Sequence, residues 1–205
     1  MYNCIIFDVD GTLIDNKKAV FEAYQEVIFK EFGRRFTNEE LKPAYGVTTR
    51  QALINLGFKD IDAALNAHHK ALMEAFANAK PFEGIENVLR EIRKLDVVKG
   101  IVTSRNRAEV YDDVCLQKYI KYFDYVVCSD DTKRHKPNPD PVLKLLEMAG
   151  VKAANTIYIG DTNYDAVCAK KAGTDFALAL WEAGENSGIE ADYYLKNPGE
   201  LLKLL

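Results

Sequence analysis

The sequence predicts an α/β fold, a doubly wound parallel sheet with an inserted α-helical subdomain. Five short segments are apolar on consecutive rather than alternate positions, which suits strands covered by helices on both faces. Amphipathic helical patterns separate the later segments, and strands alternating with helices imply right-handed crossovers. The alternation breaks once: between residue 16 and residue 80 no stretch reads as a strand.

The first strand is read at residues 4–9, CIIFDV. In the block that follows, Val20, Tyr24, Val27 and Ile28 form one apolar stripe. TNEE at 37–40 and TTRQ at 48–51 have the spacing of capping boxes, and the alanine-rich run at 61–80 favours helix intrinsically. KPFEG at 80–84 supplies turn chemistry for the return to the sheet. The core is therefore expected to be discontinuous, residues 1–15 with 81–205, and the insertion to span 16–80. Further on, Ile85, Val88, Leu89, Ile92 and Leu95 share one helical stripe, and strands are read at 98–104, 124–129, 155–161 and 175–180. In DPVLKLLEMAG, Asp140 reads as the N-cap, Pro141 as the first helical residue and Gly150 as the stop. NPGELLKLL closes the chain with Asn197 as cap and Glu200 three residues on.

A length of 205 residues suits one domain with a modest insertion. The net charge of −4 leaves no basic excess for nucleic acid, although a few placed cations could hold a small anion. No apolar run approaches the roughly 18 residues of a membrane span, and no signal peptide is evident. No membrane partner and a cytoplasmic location are therefore expected. Cys4, Cys115, Cys128 and Cys168 are scattered without a CxxC pair and read as reduced core residues.

In an open α/β sheet, ligands bind beyond the carboxyl ends of the strands. Asp8, Asp10 and Thr12 stand at the end of the first strand, and Thr103 and Ser104 at the end of the second. Lys136 follows the third, and Asp161 and Asp165 follow the fourth. Each motif alone could be a turn or a helix cap; together they form a set. Four carboxylates cannot share a small site as bare anions without a cation. An all-oxygen donor set suits a hard cation, Mg2+ most of all. Lysine and hydroxyl groups beside such an ion fit a phosphoryl group. One carboxylate could attack phosphorus and a second could carry the proton.

FDVDGTL, IVTS, HKPNP and IGDTNYDA resemble the four successive motifs of the haloacid dehalogenase superfamily. The helical insertion after the first motif resembles the C1-type cap of its subfamily I, and the whole resembles the phosphoglycolate phosphatase-like members. The resemblance implies a Rossmann-like core under a helical cap. It also implies that Asp8 is the nucleophile and a magnesium ligand. Asp10 is the general acid/base, with its carbonyl on the metal, and Thr12 positions Asp10. Thr103 binds the phosphoryl group, Lys136 neutralises Asp8 and the phosphoryl oxygens, and Asp161 and Asp165 bind magnesium, Asp165 directly or through water.

Dehalogenases of the superfamily lack the second aspartate, so Asp10 favours phosphoryl chemistry on a small phosphorylated metabolite. YGVTTRQAL at 45–53 resembles the cap recognition loop of the phosphatases and sugar-phosphate mutases, making Tyr45 and Arg50 candidate substrate contacts with Ser104 and the pair His68-His69. A phosphonatase would need a cap lysine, for which Lys17, Lys18, Lys30, Lys42, Lys59 and Lys70 are present. Phosphoglycolate-like monoesters lead the reading. Inorganic pyrophosphatase and β-phosphoglucomutase-like phosphotransferase are alternatives within the family, and a catalytically silent binding protein is the alternative outside enzymes. The cap is expected to hinge near residues 15–17 and 79–82, and the protein to be a monomer or homodimer.

Overall fold

The structure, a computed structural model, describes residues 2–44, 46–77, 79–181 and 188–205. The elements run β1 (Cys4–Phe7), β2 (Ile14–Asp15), α1 (Lys17–Phe32), α2 (Asn38–Leu41), α3 (Thr49–Asn55) and α4 (Ile61–Phe76). They continue with β3 (Lys80–Pro81), α5 (Ile85–Ile92), β4 (Val98–Val102), α6 (Arg107–Tyr111), α7 (Gln117–Ile120) and β5 (Tyr125–Val127). Then follow α8 (Asp140–Ala149), β6 (Thr156–Gly160), α9 (Asn163–Ala172), β7 (Asp175–Ala179) and β8 (Tyr193–Leu195).

The main sheet has the order β5-β4-β1-β6-β7-β8, and every pairing in it is parallel. β1 shows why its apolar residues do not alternate. Ile5 and Phe7 join the cluster that includes Ile85, Val88, Leu89 and Ile92 of α5, while Cys4 and Ile6 join the cluster with Val142 and Leu145 of α8. Both faces are buried, so every position is apolar. The four cysteines are free and buried, as their apolar contexts suggest.

The expected strands are all present but shorter at their carboxyl ends. β1 stops at Phe7, although Asp8 N still donates to Ile159 O at 2.9 Å. Asp8 and Asp10 therefore lie in the turn beyond the strand rather than on it. Gly11, at φ 79°, carries that turn, and the amides of Leu13 and Ile14 both donate to Val9 O. Two features were not foreseen. β8 is a three-residue edge strand whose Tyr194 is exposed, too short to stand out as a pattern. β2 pairs antiparallel with β3, so Lys80 and Pro81 form a strand where the helical run was expected to end. This small ladder joins the two chain segments that lead into and out of the helical insertion.

Within the insertion, α1 packs along α4 through Ala23, Ala71, Leu72 and Phe76. Tyr24, Val27, Ile28, Leu53 and Phe58 belong to a second cluster shared with α3. Thr37 and Glu40 form the expected capping box; at Thr48 only the hydroxyl half is present, accepting from Gln51 N. Three further details differ. Pro139 rather than Asp140 occupies the N-cap of α8, and Asp140 accepts from Arg134 Nε at 3.0 Å instead. Glu200 accepts from Lys196 N, one residue before Asn197. Leu95 lies beyond the end of α5 and is exposed.

Candidate active site

The sheet's carboxyl ends and the helical insertion enclose one cleft, lined by Asp8, Asp10, Ser104, Arg105, Lys136 and Asp165 on the core side. At its floor Lys136 Nζ donates to Asp8 Oδ1 and to Asp165 Oδ1, each at 2.7 Å. Asp165 is further held by the Tyr158 hydroxyl at 2.7 Å and by the Thr162 amide and hydroxyl at 3.1 and 2.6 Å. Thr162 and Asp165 also form the capping box of α9, so the helix start fixes the carboxylate. The approach is close: a Cβ on Gly160 would stand 2.6 Å from Asp165 Cβ. Glycine is therefore required at the end of β6.

Asp8, Asp161 and Asp165 are buried and each offers a carboxylate oxygen within 4.8 Å of the others. Thr12 Oγ1 donates to Asp161 Oδ1 at 3.1 Å, so Thr12 positions Asp161 and not Asp10. Burial, with Asp165 and Asp10 nearby, pushes the Asp8 carboxyl up to about 7 against the pull of Lys136. Burial acts the same way on Asp165, but Lys136, Thr162 and Tyr158 outweigh it and hold that group below its ordinary value. For Lys136, burial disfavours the charge, but Asp165 and Asp8 override it and raise its pKa. Three buried carboxylates around one lysine leave an excess of negative charge, and the donors are all oxygen. That donor set fits a hard divalent cation such as Mg2+.

Asp10 belongs to a second network. The Arg105 guanidinium grips it through Nε at 3.1 and 3.0 Å and Nη2 at 2.7 Å, and Nη1 reaches Asp113 Oδ2 at 2.7 Å. Asn16 Nδ2 donates to Asp10 Oδ1 at 2.5 Å. Burial would raise the Asp10 pKa, but Arg105 and Asn16 hold it below the usual carboxylate range. Asp113, fully buried, spends its other oxygen on the Cys115 and Leu116 amides.

The inserted helical segment presents Asn16, Lys17, Val20, Tyr24, Thr49, His68 and Phe76 to the cleft. It seats on the core through Ser104 Oγ donating to Gly46 O at 3.2 Å and Thr49 Oγ1 donating to Glu109 Oε1 at 2.6 Å. Phe76 covers Arg105, whose Cζ stands 4.3 Å from the ring centroid.

The structure thus brings together Asp8, Asp10, Ser104, Lys136 and Asp165 at the cleft, with Thr12 and Asp161 buried beside them. Thr103 is buried and accepts from Arg105 N at 3.2 Å; Ser104 and Arg105, rather than Thr103, line the cleft. Arg50 does not reach it. Its guanidinium pairs with Asp62 at 2.7 Å on the exposed face of the insertion. Of the six insertion lysines, Lys17 is the one among the described residues that lines the cleft. His69 turns to Asp112, whereas His68 faces the cleft. Tyr45 lies outside the described residues.

Sequence reasoning missed Arg105, Asn16, Asp113, Tyr158 and Thr162. Arg105 was within reach of the reasoning that found Ser104, since it is the next residue after the same strand. Asn16 likewise follows the first motif directly. Tyr158 sits inside an apolar strand and gave no polar signal.

A parallel doubly wound core whose strand ends bring carboxylates together beneath a helical insertion is the arrangement of an α/β enzyme with its site at the carboxyl ends of the strands. The chain belongs to the haloacid dehalogenase-like hydrolases, whose family profile matches residues 5–179. It is 27% identical to pyrophosphatase PpaX of Bacillus mycoides (strain KBAB4), over 99% of this chain and 96% of that one. Among solved structures it resembles a candidate phosphoglycolate phosphatase from Lactobacillus plantarum, with TM-score 0.89 and 25% identity over 100% of both chains. CbbY from Rhodobacter sphaeroides in complex with phosphate shares the fold at TM-score 0.82 and 20% identity, over 98% of this chain and 96% of that one. The fold is therefore one that solved structures of similar proteins share.

Proposed function

We propose that the chain is a magnesium-dependent phosphatase that cleaves a small phosphate monoester through an aspartyl-phosphate on Asp8. One observation carries the reading: Lys136 joins Asp8 to Asp165 at 2.7 Å each, beside Asp161 and in the same cleft as Asp10. In this reading residues 1–15 and 81–205 form the catalytic core and residues 16–80 the cap, hinged at the β2–β3 ladder.

Asp8, Asp161 and the Asp10 carbonyl would hold Mg2+ directly. Asp165 would act through water, because each of its oxygens already accepts two hydrogen bonds. When bound, the ion supplies positive charge to the phosphoryl oxygens. Asp8 Oδ attacks phosphorus as the bond to the leaving oxygen breaks, and Asp10, which must first take up a proton from solvent against the pull of Arg105, delivers that proton to the leaving oxygen. Asp10, ionised again, then takes a proton from the water that attacks the acyl phosphate, releasing phosphate and restoring Asp8. Lys136 favours the ionised form of Asp8 against the effect of burial and neutralises phosphoryl charge. Asn16 and Arg105 orient Asp10. Arg105 favours its ionised form, the one needed for the second step. Phe76 covers Arg105, so cap movement reaches the proton carrier.

A second reading, pyrophosphate as substrate, is favoured by the likeness to PpaX along nearly the whole chain. Arg50, the candidate distal-group contact common to the phosphatase and mutase readings, is paired with Asp62 away from the cleft. The test is release of p-nitrophenol from p-nitrophenyl phosphate with magnesium and with EDTA. Wild type is expected to turn over only with magnesium. Asp8→Asn is expected to lose at least about 10^4-fold in kcat while melting cooperatively. Undiminished turnover in Asp8→Asn would overturn the nucleophile assignment.

A further inference from the structure

His68 is 1% exposed, lines the cleft, and has no hydrogen-bond partner at either ring nitrogen. A buried polar group without a partner is costly, and native proteins keep few of them. A histidine merely filling a helix interface would be replaced at no loss by leucine. The ring is not adrift: it stacks on Tyr24 with centroids 4.2 Å apart and planes 36° apart. Its position is fixed while both ring nitrogens stay unpartnered. Burial, with a smaller contribution from His69, brings its pKa down to about 4, so the ring is neutral at pH 7, with one N–H donor and one acceptor.

A second unpartnered atom lies in the same cleft. Asn16 donates its amide to Asp10, which leaves Oδ1 buried as an unpaired acceptor. The cleft therefore asks for a group that both donates and accepts. Ionised phosphate and carboxylate oxygens only accept, and would stand against the oxygens of Asn16, Asp10 and Glu109. The cations offer little to a second anion on the leaving group, beyond the transferred phosphoryl group itself. Lys136 is bridged between Asp8 and Asp165, and Arg105 is committed to Asp10 and Asp113. Beyond Lys17 at the hinge, the described residues on the cap side add none. Val20, Val47, Leu72 and Phe76 supply apolar surface for a carbon skeleton.

We infer that His68 is a specificity-determining residue that hydrogen-bonds a hydroxyl on the leaving group, so that the substrates are hydroxyl-bearing alcohol phosphates of the polyol or sugar class rather than pyrophosphate or phosphorylated acids. The inference rests on the phosphatase reading and deepens it. His68 acts on binding and orientation of the leaving group, not on the bonds at phosphorus.

The experiment compares kcat/KM for matched pairs: glycerol phosphate with propyl phosphate, ribitol phosphate with pentyl phosphate, glucitol phosphate with hexyl phosphate, and pyrophosphate alone. The wild type is expected to prefer at least one polyol ester over its alkyl partner by about tenfold or more, and over pyrophosphate. His68→Leu is expected to cut that preference by about tenfold, and His68→Gln, which keeps a donor and an acceptor, to retain more of it. The wild-type preference needs no variant, so it stands as a test even if His68→Leu fails to fold. Hydrolysis of p-nitrophenyl phosphate without any polyol preference would overturn the inference and leave the phosphatase reading intact. So would preference for pyrophosphate, or a preference unchanged in a folded His68 variant. No hydrolysis of any ester would overturn the phosphatase reading and this inference with it.

Discussion

Asp165 and His68 face one cleft and are equally buried, each 1% exposed, yet their surroundings differ in kind. Asp165 accepts from Lys136, Tyr158 and both the amide and hydroxyl of Thr162. His68 has a stacked ring and two unpartnered nitrogens. The core half of the cleft is locked by its own hydrogen bonds, as a centre that must meet one transition state should be. The cap half is shaped but left unpaired, as a surface that completes itself on a ligand should be. On the proposed reading, the sheet builds the chemistry and the helical insertion selects the leaving group.

The largest effect that should break this contrast comes from the core. Arg105→Met removes the cation between Asp10 and Asp113 and leaves the fully buried Asp113 without a countercharge. A loss of about 3–5 kcal/mol in urea unfolding is expected. A loss under about 1 kcal/mol would mean that the core network is not as interdependent as its geometry implies.

On the cap side the contrast can be sharpened through pH. His68 ordinarily titrates at 6.5 and is brought down to about 4 by burial. Between these values the unfolded chain binds the extra proton and the folded chain does not. The His68 contribution to stability is therefore full above pH 6.5 and falls away toward pH 4, by on the order of 3 kcal/mol. His68→Leu should be less sensitive to acid over that window. Identical slopes of unfolding free energy against pH in wild type and variant would contradict the burial of a neutral ring.

The smallest effect belongs to the cap's outer face. Arg50 and Asp62 form an exposed pair, so Arg50→Ala should cost less than about 1 kcal/mol and leave kcat/KM within about twofold. A tenfold loss would place Arg50 in substrate recognition after all.

What could be read from the chain alone follows the same division. β1 and β6 are short apolar runs ending in aspartates, and both the strand and its functional residue are visible because burial on two faces leaves a continuous apolar run. The turn after β1 is harder to read: Asp8 and Asp10 both stand at the end of the strand in the sequence, but Gly11 turns the chain and they meet different cations, Lys136 and Arg105. Arg105 could have been found by reading one residue further past Ser104. Tyr158 could not, because a tyrosine in an apolar strand is indistinguishable from core until its hydroxyl meets Asp165. On the cap, Arg50 carried the stronger sequence motif and His68 the weaker one. The helix phase that puts His68 inward and His69 toward Asp112 depends on how α4 packs against α1, which local spacing does not settle.

The most direct test of the central claim is borohydride reduction of enzyme acid-quenched during turnover with a phosphate ester and magnesium, followed by peptide mass spectrometry. An acyl phosphate on Asp8 is reduced to homoserine, so conversion confined to position 8 and dependent on substrate is the expected result. Unreduced Asp8 under conditions where phosphate is being released, or conversion at another carboxylate, would contradict the account.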